Sequence, residues 1–154
     1  MRRLILCLVA ACAVAALIAS VAPAKNGRGT LCVLHAKTAR SETTGSTSTA
    51  KGHTLIKVRQ DGTIKFKTKI NNRDHETFVA GHIHQAPVGV AGPIVVPLFG
   101  APAPPTIARH IKQRDVATPN AGTTGADLCA TPSAYYVNYH TTAFPGGAIR
   151  GQLR

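Results

Sequence analysis

The chain predicts an antiparallel β-sandwich of about seven short strands, and three observations carry that expectation. Trp is absent and aromatic residues make up 5% of the 154 residues, while Val, Ile, Thr and Gly are plentiful, a composition that favours strands and turns over helices. Apolar residues alternate with Lys or Arg in two consecutive runs, His53 to Arg59 and Thr63 to Ile70, the period of a half-buried strand. Gly, Pro, Asn and Asp punctuate the chain between such runs, as in all-β domains built from hairpins.

Taken in order, Thr30 to Ala36 reads as the first strand, with Leu31, Val33 and His35 alternating against Cys32 and Leu34. Residues 37–52 are rich in Ser and Thr and hold Gly45 and Gly52, so they are expected to form a mobile loop. The next two runs form a hairpin whose register the sequence decides. A two-residue Asp61-Gly62 turn would set Val58 against Lys65 and mix the two faces. A three-residue loop of Gln60, Asp61 and Gly62 sets Val58 against Ile64 and Ile56 against Phe66, which keeps one face apolar. Gly62 then takes the left-handed position of a bulged turn.

Asn71 to Glu76 is a polar connection, and Thr77 to His84 is the following strand. Gln85 to Pro93 is a loop, and Ile94 to Phe99 a short strand in which Pro97 indicates an edge or a bend. Residues 100–106 are Pro-rich and irregular. Ile107 to Val116 is ambiguous, because Ile107 and Ile111 suit a helical turn but no cap precedes them. Residues 117–133 read as loop, with one helical turn near Ala126 to Ala130. A closing hairpin follows: an alternating strand from Ala134, a Pro145-Gly146-Gly147 turn, and a return strand ending at Leu153.

The first 24 residues read as an export leader rather than as part of the fold. Arg2 and Arg3 precede an uncharged run from Leu4 to Ile18, and Ala22-Pro23-Ala24 places cleavage before Lys25. The run is shorter than the ~20 residues of a spanning helix. Val9-Ala10-Ala11-Cys12 looks like a lipidation motif, although the apolar stretch continues past Cys12. Residues 25–154 then form a single domain in a secreted, periplasmic or cell-envelope location. Loss of Arg2 and Arg3 lowers the formal charge of +12 by two and leaves all six acidic residues. Only Cys32 and Cys129 remain beyond the leader, and two cysteines in an oxidising compartment most often pair. Two buried free thiols are the alternative; a metal pair lacks a closely spaced second cysteine.

Several segments resemble the CHRD domain, a module named after chordin and found also in bacterial exported proteins. They are Gly81-His82-Ile83-His84, Gly89-Val90-Ala91-Gly92-Pro93-Ile94-Val95, Tyr136-Val137-Asn138-Tyr139-His140-Thr141, Phe144-Pro145-Gly146-Gly147 and Ile149-Arg150-Gly151-Gln152-Leu153. The resemblance runs over residues 50–153. It implies an immunoglobulin-like β-barrel or sandwich, distantly similar to copper/zinc superoxide dismutases. In chordin the domain belongs to a secreted antagonist of growth-factor signalling, but membership implies no established activity. The family usually carries an acidic residue before the Ile-Arg-Gly run, where this chain has Ala148.

His82 and His84 are two residues apart and so share one face of their strand, and His140 sits on a later strand with Tyr136 and Asn138 on its face. If the strands are near one another, three imidazoles converge in a set suited to copper or zinc. The dismutase likeness sharpens this, since that family also uses a His-x-His pair. The plainer reading has these rings hydrogen-bond loop carbonyls and hold the 85–93 loop against the closing hairpin. His75 and His110 show no ligand spacing, and no further His and Asp set matches a complete dismutase site.

Lys57, Arg59, Lys65, Lys67 and Lys69 fall on the solvent side of the hairpin. On a domain this basic they would attract an anionic envelope polymer or another polyanion, or else serve as a solvated face that resists aggregation. No aromatic residues interleave with them, so specific nucleic-acid recognition is not indicated. Arg150 would hold an anion beside the histidines, or pair with a backbone carbonyl or one of the few carboxylates and so fix the terminal strand. With no nucleophile elbow and no recognisable carboxylate pair, the first expectation is a non-enzymatic binding or structural module contacting an extracellular protein or anionic polymer. The second is a copper- or zinc-binding protein.

Overall fold

The computed structural model describes residues 29–100 and 106–154; the expected leader and Cys12 lie outside the described residues. Eight strands form one antiparallel sheet rolled nearly into a barrel. They are β1 (Thr30–Arg40), β2 (Lys51–Arg59), β3 (Ile64–Asn71), β4 (Phe78–Gln85), β5 (Ile94–Phe99), β6 (His110–Ala117), β7 (Tyr135–Thr141) and β8 (Ile149–Gln152), in the sheet order β5-β4-β7-β8-β1-β2-β3-β6. The expected all-β class holds, with one more strand than the sequence separates.

The β2–β3 hairpin has the register that keeps its inner face dry. Val58 opposes Ile64, Ile56 opposes Phe66, and all four side chains are buried. The Arg59 N–H donates to the Thr63 carbonyl across the three-residue loop, and Gly62 adopts a φ of 82°, a left-handed geometry without steric cost for glycine. Pro97 lies on β5, an edge of the sheet, where its missing N–H breaks no ladder bond.

One reading the sequence left open is decided and one expectation is corrected. Residues 110–117 are a strand rather than a helical turn, because β3 has an open edge whose backbone groups need partners. Ile111 lies opposite Ile70 in that pairing and is buried with it. The stretch 37–52 is not a mobile loop. Strand β1 continues to Arg40, and the connector is tied down by Thr44 Oγ1 donating to the Gly147 carbonyl at 2.6 Å and Ser48 Oγ donating to Glu76 at 2.5 Å.

The core fills the barrel with Leu34, Ile56, Val58, Phe66, Ile83, Val96, Val137 and Ile149 among others. Tyr139 also points inward, and its hydroxyl meets Thr54 and Thr68 at 2.5 Å each, so its polar tip is satisfied at full burial. Gly81 leaves room for that ring, since a Cβ there would sit 2.5 Å from Tyr139 Cδ1. One end is covered by α1 (Gly125–Ala130), whose Thr124–Asp127 capping box fixes its start and whose Leu128 is fully buried. The Cys32–Cys129 disulfide joins α1 to β1, with Cα atoms 5.9 Å apart. The seam between β5 and β6 is bridged by Thr106 pairing with Phe78 and by the Asn120 N–H donating to the Val95 carbonyl at 2.8 Å.

Candidate functional site

Strands β4 and β7 are hydrogen-bonded neighbours, and their register decides which side chains meet. His84 opposes Tyr136, His82 opposes Asn138 and Ala80 opposes His140. Because side chains alternate across a strand, these residues share the outer face while Ile83, Val137 and Tyr139 enter the core. His140 is therefore the diagonal neighbour of His82, and the three imidazoles expected to converge do so. One nitrogen from each lies within 4.8 Å of the others. The ring centroids of His82 and His140 are 4.8 Å apart, those of His82 and His84 5.7 Å, and those of His84 and His140 5.8 Å.

An outer face would ordinarily be wet, but two loops cover this one. His84 is 7% exposed and His140 8%, with His82 half-buried. The loop between β4 and β5 is held by Arg150 on β8, which donates to the Val90 carbonyl at 2.8 Å and the Pro87 carbonyl at 2.9 Å. Gln152 donates to the Ala86 carbonyl at 2.8 Å. The turn between β7 and β8 is held by Asn138, which donates to the Gly146 carbonyl at 3.1 Å. Of the partners expected for Arg150, backbone carbonyls are the ones it bonds here, and its guanidinium carbon lies 3.4 Å from the centre of the Tyr136 ring. Ala148, where the resemblance leads one to expect an acid, is fully buried beside this site, its N–H donating to the Tyr139 carbonyl at 2.7 Å.

The loops also set the tautomers. His84 Nδ1 faces the Gly92 carbonyl at 2.9 Å, and His140 Nδ1 faces the Pro145 carbonyl at 2.8 Å. A carbonyl can only accept, so each Nδ1 carries the hydrogen and each Nε2 keeps a free lone pair in the neutral ring. His82 Nδ1 must then donate to His140 Nε2, 3.0 Å away. His84 Nε2 is buried and has no hydrogen-bond partner. Burial pushes the His82 imidazole down to about 4, reinforced by the neighbouring His140 and His84. Burial also lowers His84 and His140, partly opposed by their bonds to Gly92 and Pro145. All three rings are therefore neutral at pH 7, the form that ligates metal.

The donor set suits a metal ion. His82 Nδ1 and His140 Nε2, 3.0 Å apart, stand close to the roughly 3.3 Å that separates two nitrogens on one tetrahedral zinc ion at ~2.05 Å. A metal ion would take the place of the hydrogen between them once His82 carries its proton on Nε2 instead. A carbonyl acceptor on the far nitrogen of a ligating histidine is the usual way such rings are oriented. Among the described residues, this is the one group of three or more potential ligands that meets.

The expected basic residues lie elsewhere, on the opposite wall. Lys57, Lys65, Lys67 and Lys69 are exposed and Arg59 is half-buried near the hairpin turn. The structure adds Lys112 and Arg114 beside them on β6, in a segment whose conformation the sequence left open.

The structure is thus a β-barrel domain of eight antiparallel strands among the described residues, with a covered polar face across β4, β7 and β8 and one disulfide. The family model of the CHRD domain matches residues 34–153, and the chain belongs to that family. No curated protein and no solved structure matches the chain. Among the described residues no helix is long and apolar enough to cross a membrane.

Proposed function

We propose that this CHRD domain is an exported, non-enzymatic metal-binding module that holds one copper or zinc ion on His82, His84 and His140. Residues 1–24 would direct export and residues 25–154 would act as a single domain outside the cytoplasm. The observation that carries the reading is His84 Nε2, a buried lone pair without a partner, aimed among two further neutral imidazoles. A histidine that served only to anchor a loop would need its Nδ1–H bond alone. Leaving the second nitrogen buried and unpaired costs free energy, roughly 1–3 kcal/mol, that a bound cation would recover. Three nitrogen donors without a carboxylate suit copper and zinc rather than calcium or magnesium, which take oxygen ligands.

The test is titration of the purified, metal-free protein with zinc and with copper, followed by calorimetry and thermal melting. The expected result is one ion per chain with a raised melting temperature. The His84→Ala and His140→Ala variants should each lose that increase while retaining the wild-type circular dichroism spectrum. Equal, weak binding by wild type and both variants would overturn the reading.

A further inference from the structure

The face of the barrel away from the histidines is built from the outward positions of β1, β2, β3 and β6. Continuous pairing places these in rows. One row runs Lys37, His53, Lys69, Lys112, and the next runs His35, Leu55, Lys67, Arg114. A third sets Lys57 against Lys65, flanked by Val33 and Val116. Like charges thus stand directly opposite one another at Lys57–Lys65, Lys67–Arg114 and Lys69–Lys112, an arrangement that destabilises a sheet.

Among the described residues no ion pair neutralises this face, although exposed Asp115 lines a shallow depression with Lys65, Lys67 and Arg114. Of the six acidic residues, Glu42, Asp61, Asp74, Glu76 and Asp127 lie outside these four strands. Asp115 on β6 opposes Phe66, whose side chain faces the core, and accepts the Val116 N–H at 2.8 Å. Among the described residues the one ion pair is Arg40–Glu42 at 3.8 Å, so no cation of the face has a carboxylate partner. Protection of an exposed sheet edge does not account for the charge either. The sheet ends at β5 and β6, whereas Lys57, Lys65, Lys67 and Lys69 lie on strands paired on both sides.

We infer that this face is a docking surface for an extended anionic polysaccharide bearing sulfate groups. Same-face residues recur every ~6.6 Å along a strand and strands are ~4.8 Å apart, so the cations form a flat lattice that meets charges spread along a chain. Lysine dominates, which suits diffuse anionic groups as a point charge rather than a bidentate fork. No Phe, Tyr or Trp side chain lies in the rows to stack a base. A shallow depression of about 530 Å³ at the end of β2, β3 and β6 is lined by Lys51, Lys69 and Lys112 together with Ile70 and Ile111, so cations border an apolar floor there.

The test uses heparin as the probe and two variants of equal charge loss. Lys65→Gln/Lys67→Gln/Lys69→Gln removes the centre of the lattice, while Arg40→Gln/Arg73→Gln/Arg109→Gln removes exposed cations outside it. The first should bind heparin about tenfold more weakly than the second at physiological salt, with a shallower salt dependence. Its melting temperature should be unchanged or raised, since opposed like charges are relieved, which separates lost binding from lost folding. Equal weakening by both variants would overturn the proposal, as would tighter binding to duplex DNA or to phosphatidylglycerol vesicles than to heparin at matched charge concentration.

Discussion

His84 and Gly92 form the joint between the barrel wall and the loop that covers it. His84 Nδ1 donates to the Gly92 carbonyl at 2.9 Å, and the Gly92 N–H donates to the Tyr136 hydroxyl at 3.1 Å. The Tyr136 ring closes the cycle by stacking on His84, with centroids 4.9 Å apart and planes inclined by 15°. One loop residue thereby fixes both the tautomer and the rotation of a histidine on the neighbouring strand, while Tyr136 packs between that imidazole and the Arg150 guanidinium.

Gly92→Ala tests that joint. An added Cβ would overlap the Gln85 backbone carbonyl, which cannot rotate away as a side chain can. The loop must shift, and His84 loses the acceptor that orients it. Zinc affinity should fall roughly 10–100-fold, the usual cost of losing an outer partner of a metal ligand. Val88→Ala, in the same loop but 78% exposed, should leave affinity unchanged in the same calorimetric titration.

Arg150→Lys should loosen the loop without removing the charge. An ammonium cannot reproduce two donors in a fixed plane aimed at the Pro87 and Val90 carbonyls. Hydrogen exchange of the Val90 to Gly92 amides should accelerate, with zinc affinity reduced about tenfold. Unaltered exchange in that segment would show that Gln152 and Tyr136 suffice to hold it.

Acid should weaken the metal-free protein in a defined window. An imidazole in the unfolded chain titrates near 6.5, whereas His82 in the fold is pushed down to about 4 and His84 and His140 are lowered as well. Between these values the unfolded chain binds protons that the folded one refuses, so stability is complete above about pH 7 and is lost as the pH falls toward 4. Urea melts at pH 7.5, 6 and 4.5 check the direction, and His82→Gln should flatten the slope. With zinc bound, protons compete only weakly until the pH approaches these lowered values, so zinc affinity should change little between pH 7.5 and 6.5.

The parts of the fold legible in the sequence were those in which a local pattern had one physical solution. Val58, Ile64, Ile56 and Phe66 can share a dry face in one register alone, and His82 and His84 must share a side because the strand period is two. Strand β6 was not legible, since Ile111 and Ala117 are its only buried residues and its order comes from the open edge of β3. The meeting of His140 with His82 depended on β7 pairing with β4 across more than fifty residues of chain, which no local pattern encodes. The Gly92 and Pro145 carbonyls that set the tautomers are backbone atoms and leave no residue-specific mark. Lys112 and Arg114 were visible as basic residues, but their alignment with Lys69 and Lys67 appeared only with the strand.

Reduction of Cys32–Cys129 should uncouple one end of the barrel before the rest. The bridge closes a sequence separation of 97 residues, for which lost chain entropy in the unfolded state amounts to about 4.7 kcal/mol, with measured losses of roughly 2–5 kcal/mol. Its native-state effect is local: α1 is six residues long, too short to persist alone, and it packs through Leu128 on the end of the barrel. A Cys32→Ser/Cys129→Ser variant should therefore melt roughly 10 °C lower or more. Its hydrogen exchange should rise first in residues 125–130 and at the start of β1, with β4 and β7 still protected. The histidine cluster lies on those two strands, so zinc binding should persist at temperatures below the new transition. Loss of zinc binding in the folded, disulfide-free variant would show that the barrel end and the histidine face are coupled, contrary to the separate loops that hold His84 and His140 in place.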